Sequence, residues 1–242
     1  MLVPARRRGV ELLDDPSVDP ALAARSLRDV VRSNALFGGR RAFVRALDAL
    51  LPRLGHAGTL LDVGTGLGDV PDTARRLAHR RGLALTTIGV ELRASLAAAS
   101  RERIGLAVCA DGMRLPFADR SIDVVTCSQV LHHFADDDAA RLLRELARVA
   151  RVGVVVSDLR RSWLAAGLFW LVSFPLGFHP ITRHDGTLSV LRGFTVDELR
   201  RLAEQAGGTS PRVERWLGWR LTARWSPSDA APTGVPMRPP TA

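Results

Sequence analysis

TLLDVGTGLGD, residues 59–69, decides how this chain folds. An apolar run, Leu60, Leu61 and Val63, carries one acid, Asp62, and delivers the chain into Gly64, Thr65, Gly66, Leu67 and Gly68. A helical pattern begins near Pro71, so the predicted unit is a buried strand turning through glycines into a helix. Glycine lacks a Cβ, which opens dihedrals closed to other residues and lets a ligand approach the backbone. The next helix adds unpaired N–H groups at its start. Taken alone, the turn also suits a tight strand-to-helix connection without a ligand. The spacing, with an acid two residues ahead of the first glycine, departs from the G-x-G-x-x-G of dinucleotide binders and turns the reading away from NAD.

The following segments select among these readings. The next apolar run, Thr86 to Val90, ends in Glu91, and a carboxylate at a strand's carboxyl end can accept two hydrogen bonds from vicinal ribose hydroxyls. A third acid, Asp111, is followed by Gly112, Met113 and then Leu115-Pro116-Phe117 ahead of Ile122-Asp123-Val124-Val125. In this order the motifs resemble the class I S-adenosylmethionine-dependent methyltransferases. The Leu-Pro-Phe segment and the strand after it look like the ubiquinone/menaquinone C-methyltransferase-like group within that family. The resemblance implies S-adenosyl-L-methionine as cofactor and an α/β, Rossmann-like, doubly wound fold with a mostly parallel seven-stranded sheet. It further implies that Gly64, Gly66 and Gly68 admit the methionine and ribose portions and that Glu91 holds the ribose hydroxyls with Leu92 beside it. Asp111 would accept from the adenine amino group, flanked by Gly112 and Met113, and Asp62 and Ser128 would converge on the same crevice.

The remainder of the chain is arranged around this unit. Residues 1 to about 18 show little periodicity and are expected to be a loosely ordered lead-in. Asp19-Pro20 opens a helix with Leu22, Leu27, Val30 and Val31 on one face, and a second helix carries Phe43, Leu47, Leu50, Leu51 and Leu54. Residues 1–57 thus form an N-terminal helical cap over the cleft. Between its helices, 34–41 either closes on the methionine end of the cofactor or is a plain turn. Residues 58–225 form the cofactor-binding domain, with strands at 59–63, 86–91, 106–109, 122–128 and 152–157 and helices at 71–81, 93–103 and 137–150. That alternation predicts parallel strands, right-handed crossovers and a ligand site at the strands' carboxyl ends.

Beyond the fifth strand, an apolar helical insertion spans about 160–194. Trp163 to Phe178 is uncharged, but sixteen residues with Pro175 inside fall short of the about 20 that span a membrane. A lid over an apolar substrate, a peripheral membrane contact or a buried oligomer interface all suit 163–178. His179 to Gly186 reads as a glycine loop. Thr195 to Glu198 is a capping box, 213–225 offers one or two closing strands with Gly218 as the turn, and 226–242 reads as a disordered tail.

Methyl transfer asks the protein to hold a nucleophile within about 3–3.5 Å of the methyl carbon, to exclude water and to take a proton. His132 is the first candidate base, His133 a weaker one, and His184, between Arg183 and Asp185, could act as base or orienter. His132-His133-Phe134 also resembles a segment that merely seats the next helix in the family.

Composition bounds the partners. Hydrophobic residues at 46% and charged residues at 24% are ordinary for a globular protein. A formal charge of +9 invites nucleic acid, yet all 34 basic residues are arginine, scattered in pairs such as Arg75-Arg76 and Arg200-Arg201, which reads as a solvated surface. An RNA or other nucleic-acid methyltransferase, and a non-catalytic cofactor-binding partner protein, stand as alternatives. The primary expectation is a cytoplasmic enzyme, a monomer or homodimer, that methylates oxygen or carbon of a small apolar acceptor: phenolic, quinol, polyketide or lipid-like. Cys109 and Cys127 are expected as buried thiols without metal-ligand spacing, and no metal is expected.

Overall fold

The computed structural model describes residues 3–7, 9–15 and 17–227. Asp19 caps α1 (Pro20–Leu36) by accepting from Leu22 N at 3.0 Å, with Pro20 in the first turn where no N–H is needed. Gly38, at φ +80°, turns the chain into α2 (Gly39–Asp48). There follow β1 (Ala57–Val63), α3 (Asp69–Arg80), β2 (Ala84–Glu91), α4 (Ala94–Ile104), β3 (Leu106–Cys109), β4 (Ile122–Ser128), α5 (Asp136–Val149) and β5 (Ala150–Leu159). The insertion forms α6 (Trp163–Val172) and α7 (Pro180–Arg192), and α8 (Val196–Gln205), β6 (Arg212–Trp216) and β7 (Arg220–Trp225) close the fold.

One seven-stranded sheet has the order β3-β2-β1-β4-β5-β7-β6. The first five strands pair in parallel, while β7 runs antiparallel to β5 and β6 antiparallel to β7. The apolar run of β1 fills both faces of this sheet, because successive side chains point to opposite sides. Leu61 and Val63 join Val125, Leu142, Leu143 and Leu199 on the face covered by α5 and α8. Leu60 joins Phe43, Leu47, Ala74 and Val155 on the face covered by α2 and α3. The strand order reverses at β1 and β4, and the switch opens a crevice above their carboxyl ends.

Several expectations are corrected. Of the lead-in, residues 3–7 and 9–15 form a strap docked across the crevice, where Leu12 N and Leu13 N donate to the two carboxylate oxygens of Asp185 at 2.8 and 2.9 Å. Arg161 Nε donates to Pro4 O at 2.7 Å, and Glu11 is buried. These anchors lie far off in the chain, so no local pattern announces them. Residues 179–186 form the start of α7 rather than a loop; His179 caps the helix through its Nδ1, which accepts from Ile181 N. Gly186 sits inside that helix because a Cβ there would come within 2.3 Å of the Phe169 ring on α6. Cys127 is buried as expected, but Cys109 is exposed, at the end of an edge strand. The closing segment supplies two strands. Of the predicted tail, 228–242 lies outside the described residues, and Pro227 bridges to Gly208. Among the described residues no helix is long and apolar enough to cross a membrane.

Candidate functional site

A cavity of about 660 Å³ runs over the carboxyl ends of the strands, roofed by the strap, α1, α6 and α7. At one end it is lined by Gly64, Gly66, Glu91, Leu92, Asp111 and Gly112. Glu91, the last residue of β2, is clamped by the backbone: Oε2 accepts from Gly66 N at 3.0 Å and Oε1 from Leu92 N at 2.9 Å. Both oxygens keep lone pairs for a ligand. Asp111 Oδ1 accepts from Met113 N at 2.9 Å, which sets the turn after β3. Gly64, at φ +74°, could not carry a Cβ without meeting Val130 at 2.3 Å, whereas a Cβ on Gly66, at φ +54°, would meet nothing within 4 Å. The first glycine serves packing; the second faces open space into which a ligand can press. An amide-clamped acid at the end of β2, a second acid one strand over after β3 and an open glycine backbone on the other side, after β1, fit the adenosyl group expected from the sequence.

Four predicted cofactor residues do not line this cavity. Asp62 lies beneath it, almost wholly buried, its Oδ1 accepting from Thr126 Oγ1 at 2.7 Å. Burial pushes its carboxyl up to about 7, against the pull of the Thr126 hydroxyl, and the nearby charges of Asp69 and Glu91 add to the rise. Gly68 is the left-handed residue that starts α3. Met113 packs into the core, and the Ser128 hydroxyl is buried without a hydrogen-bond partner among the described residues.

The opposite end is built on α6, α7, the strap and the loop after β4. His132, 3% exposed, has Nδ1 2.7 Å from Asp158 Oδ1, and its backbone N donates to Asp158 Oδ2 at 3.2 Å. Asp158, fully buried, also accepts from Leu159 N at 2.7 Å. Burial alone would raise its pKa, but the His132 ring, these hydrogen bonds and the nearby His133 outweigh it and hold the carboxyl below its ordinary range. In the neutral ring, a carboxylate on Nδ1 favours the proton there, which leaves Nε2 as the acceptor. That Nε2 lies 3.7 Å from Glu11 Oε1.

His133 stands 3.4 Å from Asp14 Oδ1 and 3.8 Å from Glu11 Oε2. Burial lowers its pKa, but the Asp14 hydrogen bond and the charges of Glu11 and Asp14 overcome that and raise it. Glu11, His132 and His133 bring possible ligand atoms within 4.8 Å of one another. The Arg192 guanidinium, 3.3 Å from Glu11, already neutralises that carboxylate, so the cluster reads as an ion-pair network rather than a cation site. His184 does not line the cavity; its ring is more than half exposed and rests on Asp185 at 2.8 Å, which removes it as a candidate base.

Sequence reasoning misses Glu11, Asp14 and Arg220, all in the cavity wall, and gives no role to Gln129 in the candidate stretch 128–133 or to Asp158, which fixes His132. Asp158 had a signal, an acid at a strand's carboxyl end; the others had none. The wall between the two ends is apolar, with Leu27, Val30, Phe37, Phe169 and Val172. α6 is apolar all round: Phe169 and Val172 face inward, while Trp163, Leu164, Trp170 and Leu171 are about half exposed.

Residues 61–157 match the family described as the methyltransferase domain. Two curated demethylmenaquinone methyltransferases are similar to the chain. That of Roseiflexus sp. is 35% identical over 127 residues, 48% of each chain, and that of Thermobifida fusca is 35% identical over 119 residues, 47% of this chain and 46% of the relative. The chain thus spans about half the length of the curated relatives it matches. Among solved structures, a Thermotoga maritima S-adenosylmethionine-dependent methyltransferase, described as a possible histamine N-methyltransferase, superposes with TM-score 0.58 at 19% identity, over 86% of this chain and 99% of that one. The magnesium protoporphyrin IX methyltransferase of Synechocystis, solved with its cofactor, superposes with TM-score 0.54 at 13% identity, over 88% and 86%. At these identities the solved structures share the fold.

Proposed function

We propose, for a chain that belongs to the class I S-adenosylmethionine-dependent methyltransferases, that it methylates oxygen or carbon of a small apolar acceptor of the phenolic or quinol kind. One observation carries the reading: a single cavity joins the glycine-and-acid end to an apolar end where a buried Asp158–His132 pair presents an imidazole nitrogen. Glu91 would hold the ribose hydroxyls, Asp111 the adenine amino group, and the open backbone at Gly66 the methionine side, with Gly64 packed on Val130 to set the turn beside it. The cofactor supplies a methyl group already bonded to a positively charged sulfur. His132 Nε2 then takes the proton from the acceptor's hydroxyl or enol, and Asp158 keeps the ring in the productive tautomer and stabilises the imidazolium. Phe37, Phe169 and Val172 exclude water, which strengthens both interactions.

The enzyme works in the cytoplasm as a monomer or homodimer, with the outer face of α6 resting on a lipid surface. Trp163, Leu164, Trp170, Leu171 and Phe174 form that face, Arg7 lies over Trp163 and Arg183 over Phe174. An apolar face edged with cations suits an anionic interface. A nucleic-acid substrate is not favoured, since surface arginines such as Arg75, Arg76, Arg81 and Arg200 sit on the chain's own acids. The test is incubation with methyl-labelled cofactor and a cell extract. The label is expected in organic solvent; recovery in RNA or protein overturns the proposal.

A further inference from the structure

Among the described residues, three arginines are almost wholly buried: Arg161 at 6%, Arg192 at 6% and Arg220 at 3% exposure. Two of them have counter-ions. Arg161 engages both oxygens of Glu198, at 3.0 and 2.7 Å, and Arg192 lies 3.3 Å from Glu11. Arg220 differs. Its Nη1 donates to the neutral side-chain amide of Gln129 at 2.9 Å, its Nε is buried without an acceptor, and among the described residues no carboxylate lies within ion-pair distance. Removing a cation from water without a counter-ion is unfavourable by several kcal/mol. Burial drags this guanidinium down to about 10, with only the more distant charge of Asp158 opposing.

The location of this cation matters as much as its lack of a counter-ion among the described residues. Arg220 opens β7 opposite Leu159, at the carboxyl end of β5, and forms part of the cavity wall beside Phe37, Gly218 and Trp219. Gly39, at the start of α2, leaves room first for the Asn34 side chain, whose Oδ1 a Cβ there would meet at 1.7 Å, and then for Arg220, whose Nε would lie 3.2 Å away. A planar guanidinium presents paired N–H groups that match the two oxygens of a carboxylate.

We propose that Arg220 binds a carboxylate carried by a ligand of this cleft. The same chemistry has two sources, the amino-acid tail of the cofactor or an acidic group on the acceptor. The inference rests on the cavity being the ligand site and needs no turnover, so its failure leaves the methyl-transfer reading standing.

The test compares Arg220→Met and Arg220→Lys with the wild type by titration calorimetry, after circular dichroism has checked folding. S-adenosylhomocysteine is set against 5′-methylthioadenosine, which lacks the amino-acid tail. On the protein saturated with S-adenosylhomocysteine, 4-hydroxybenzoate is set against 4-hydroxybenzyl alcohol. Arg220→Met is expected to weaken one carboxylate probe at least tenfold while its tail-less or neutral counterpart stays within twofold. Which probe suffers names the source. Arg220→Lys, which keeps the charge but loses the two-pronged edge, is expected to weaken the same probe three- to tenfold and decides the matter should Arg220→Met not fold. Equal loss for both members of a pair, no loss for either pair, or no preference of the wild type for a carboxylate in either pair overturns the proposal.

Discussion

Two buried aspartates on the strands either side of β4 show how differently the two ends of the cleft are built. Asp62 on β1 is buried with only threonine hydroxyls, Thr126 and Thr65, to oppose that burial and the like charges of Asp69 and Glu91 nearby, and its carboxyl is pushed up to about 7. Asp158 on β5 has an imidazole and two backbone N–H groups, and its carboxyl is held below the ordinary range despite equal burial. The cofactor end is made of short loops that follow their own strands and leave negative charge uncompensated beneath them. The acceptor end is made of side chains brought from the strap, the loop after β4, β5 and α7, and its acids are paired in advance. On the proposed reading, the first end would take a cationic ligand and the second would supply the proton acceptor.

The severest test of that contrast is His132→Ala. Loss of a positioned base is expected to lower turnover of a hydroxylated acceptor by about 10²–10⁴-fold. Calorimetry should find S-adenosylhomocysteine binding unchanged, because His132 belongs to the acceptor end. Unchanged single-turnover rates would break the assignment.

Asp62→Asn probes the uncompensated charge at the other end. A carboxyl raised to about 7 still holds in the folded state a proton that the unfolded chain has already released. Stability therefore falls as pH rises from about 4 to about 7 and levels off above. The contribution lost between pH 5 and pH 7 has an upper bound of about 3 kcal/mol, at 1.36 kcal/mol per unit. Thermal melts at pH 5 and pH 8 should show a smaller loss for Asp62→Asn than for the wild type; equal losses would show that Asp62 carries no such strain.

Glu91→Ala should weaken S-adenosylhomocysteine about 10- to 100-fold, the scale of one or two hydrogen bonds to a charged group. Calorimetry reads the change, and retained affinity would detach β2 from the cofactor. The smallest expected effect is that of Asp185→Ala, which frees Leu12 N and Leu13 N. It is expected to destabilise by about 1–3 kcal/mol and to expose the strap to limited proteolysis, with cofactor affinity unaffected. An uncut strap would show that its other anchors suffice.

How much of this was legible beforehand follows from the range of the interactions. The strands and helices from Ala57 to Leu159 follow from apolar periodicity and from glycines placed where a left-handed turn is needed, as at Gly64 and Gly66. The acids Glu91 and Asp111 terminate or closely follow their own strands, so their arrival in one cleft follows from parallel pairing. Asp62 lies beneath the cavity and not in its wall because the strand's alternation, and not a place in a motif, decides which way a side chain points. The reading of 179–186 as a loop failed because Gly186 answers to the Phe169 ring, a contact between two helices, and not to a turn.

The amino-acid order alone therefore determined the layered α/β fold, the position of the cleft and the acids at its cofactor end, since those depend on hydrogen bonds and periodicities within a few residues of one another. The His132–Asp158 pair, the docked strap and the Arg220 guanidinium, without a carboxylate partner among the described residues, were decided only when the chain closed on itself. They join residues more than twenty to nearly two hundred positions apart, such as His132 with Asp158 and Glu11 with Ser189. Burial then sets their charge states, because a carboxylate or guanidinium removed from water is governed by whichever partner the tertiary structure places beside it.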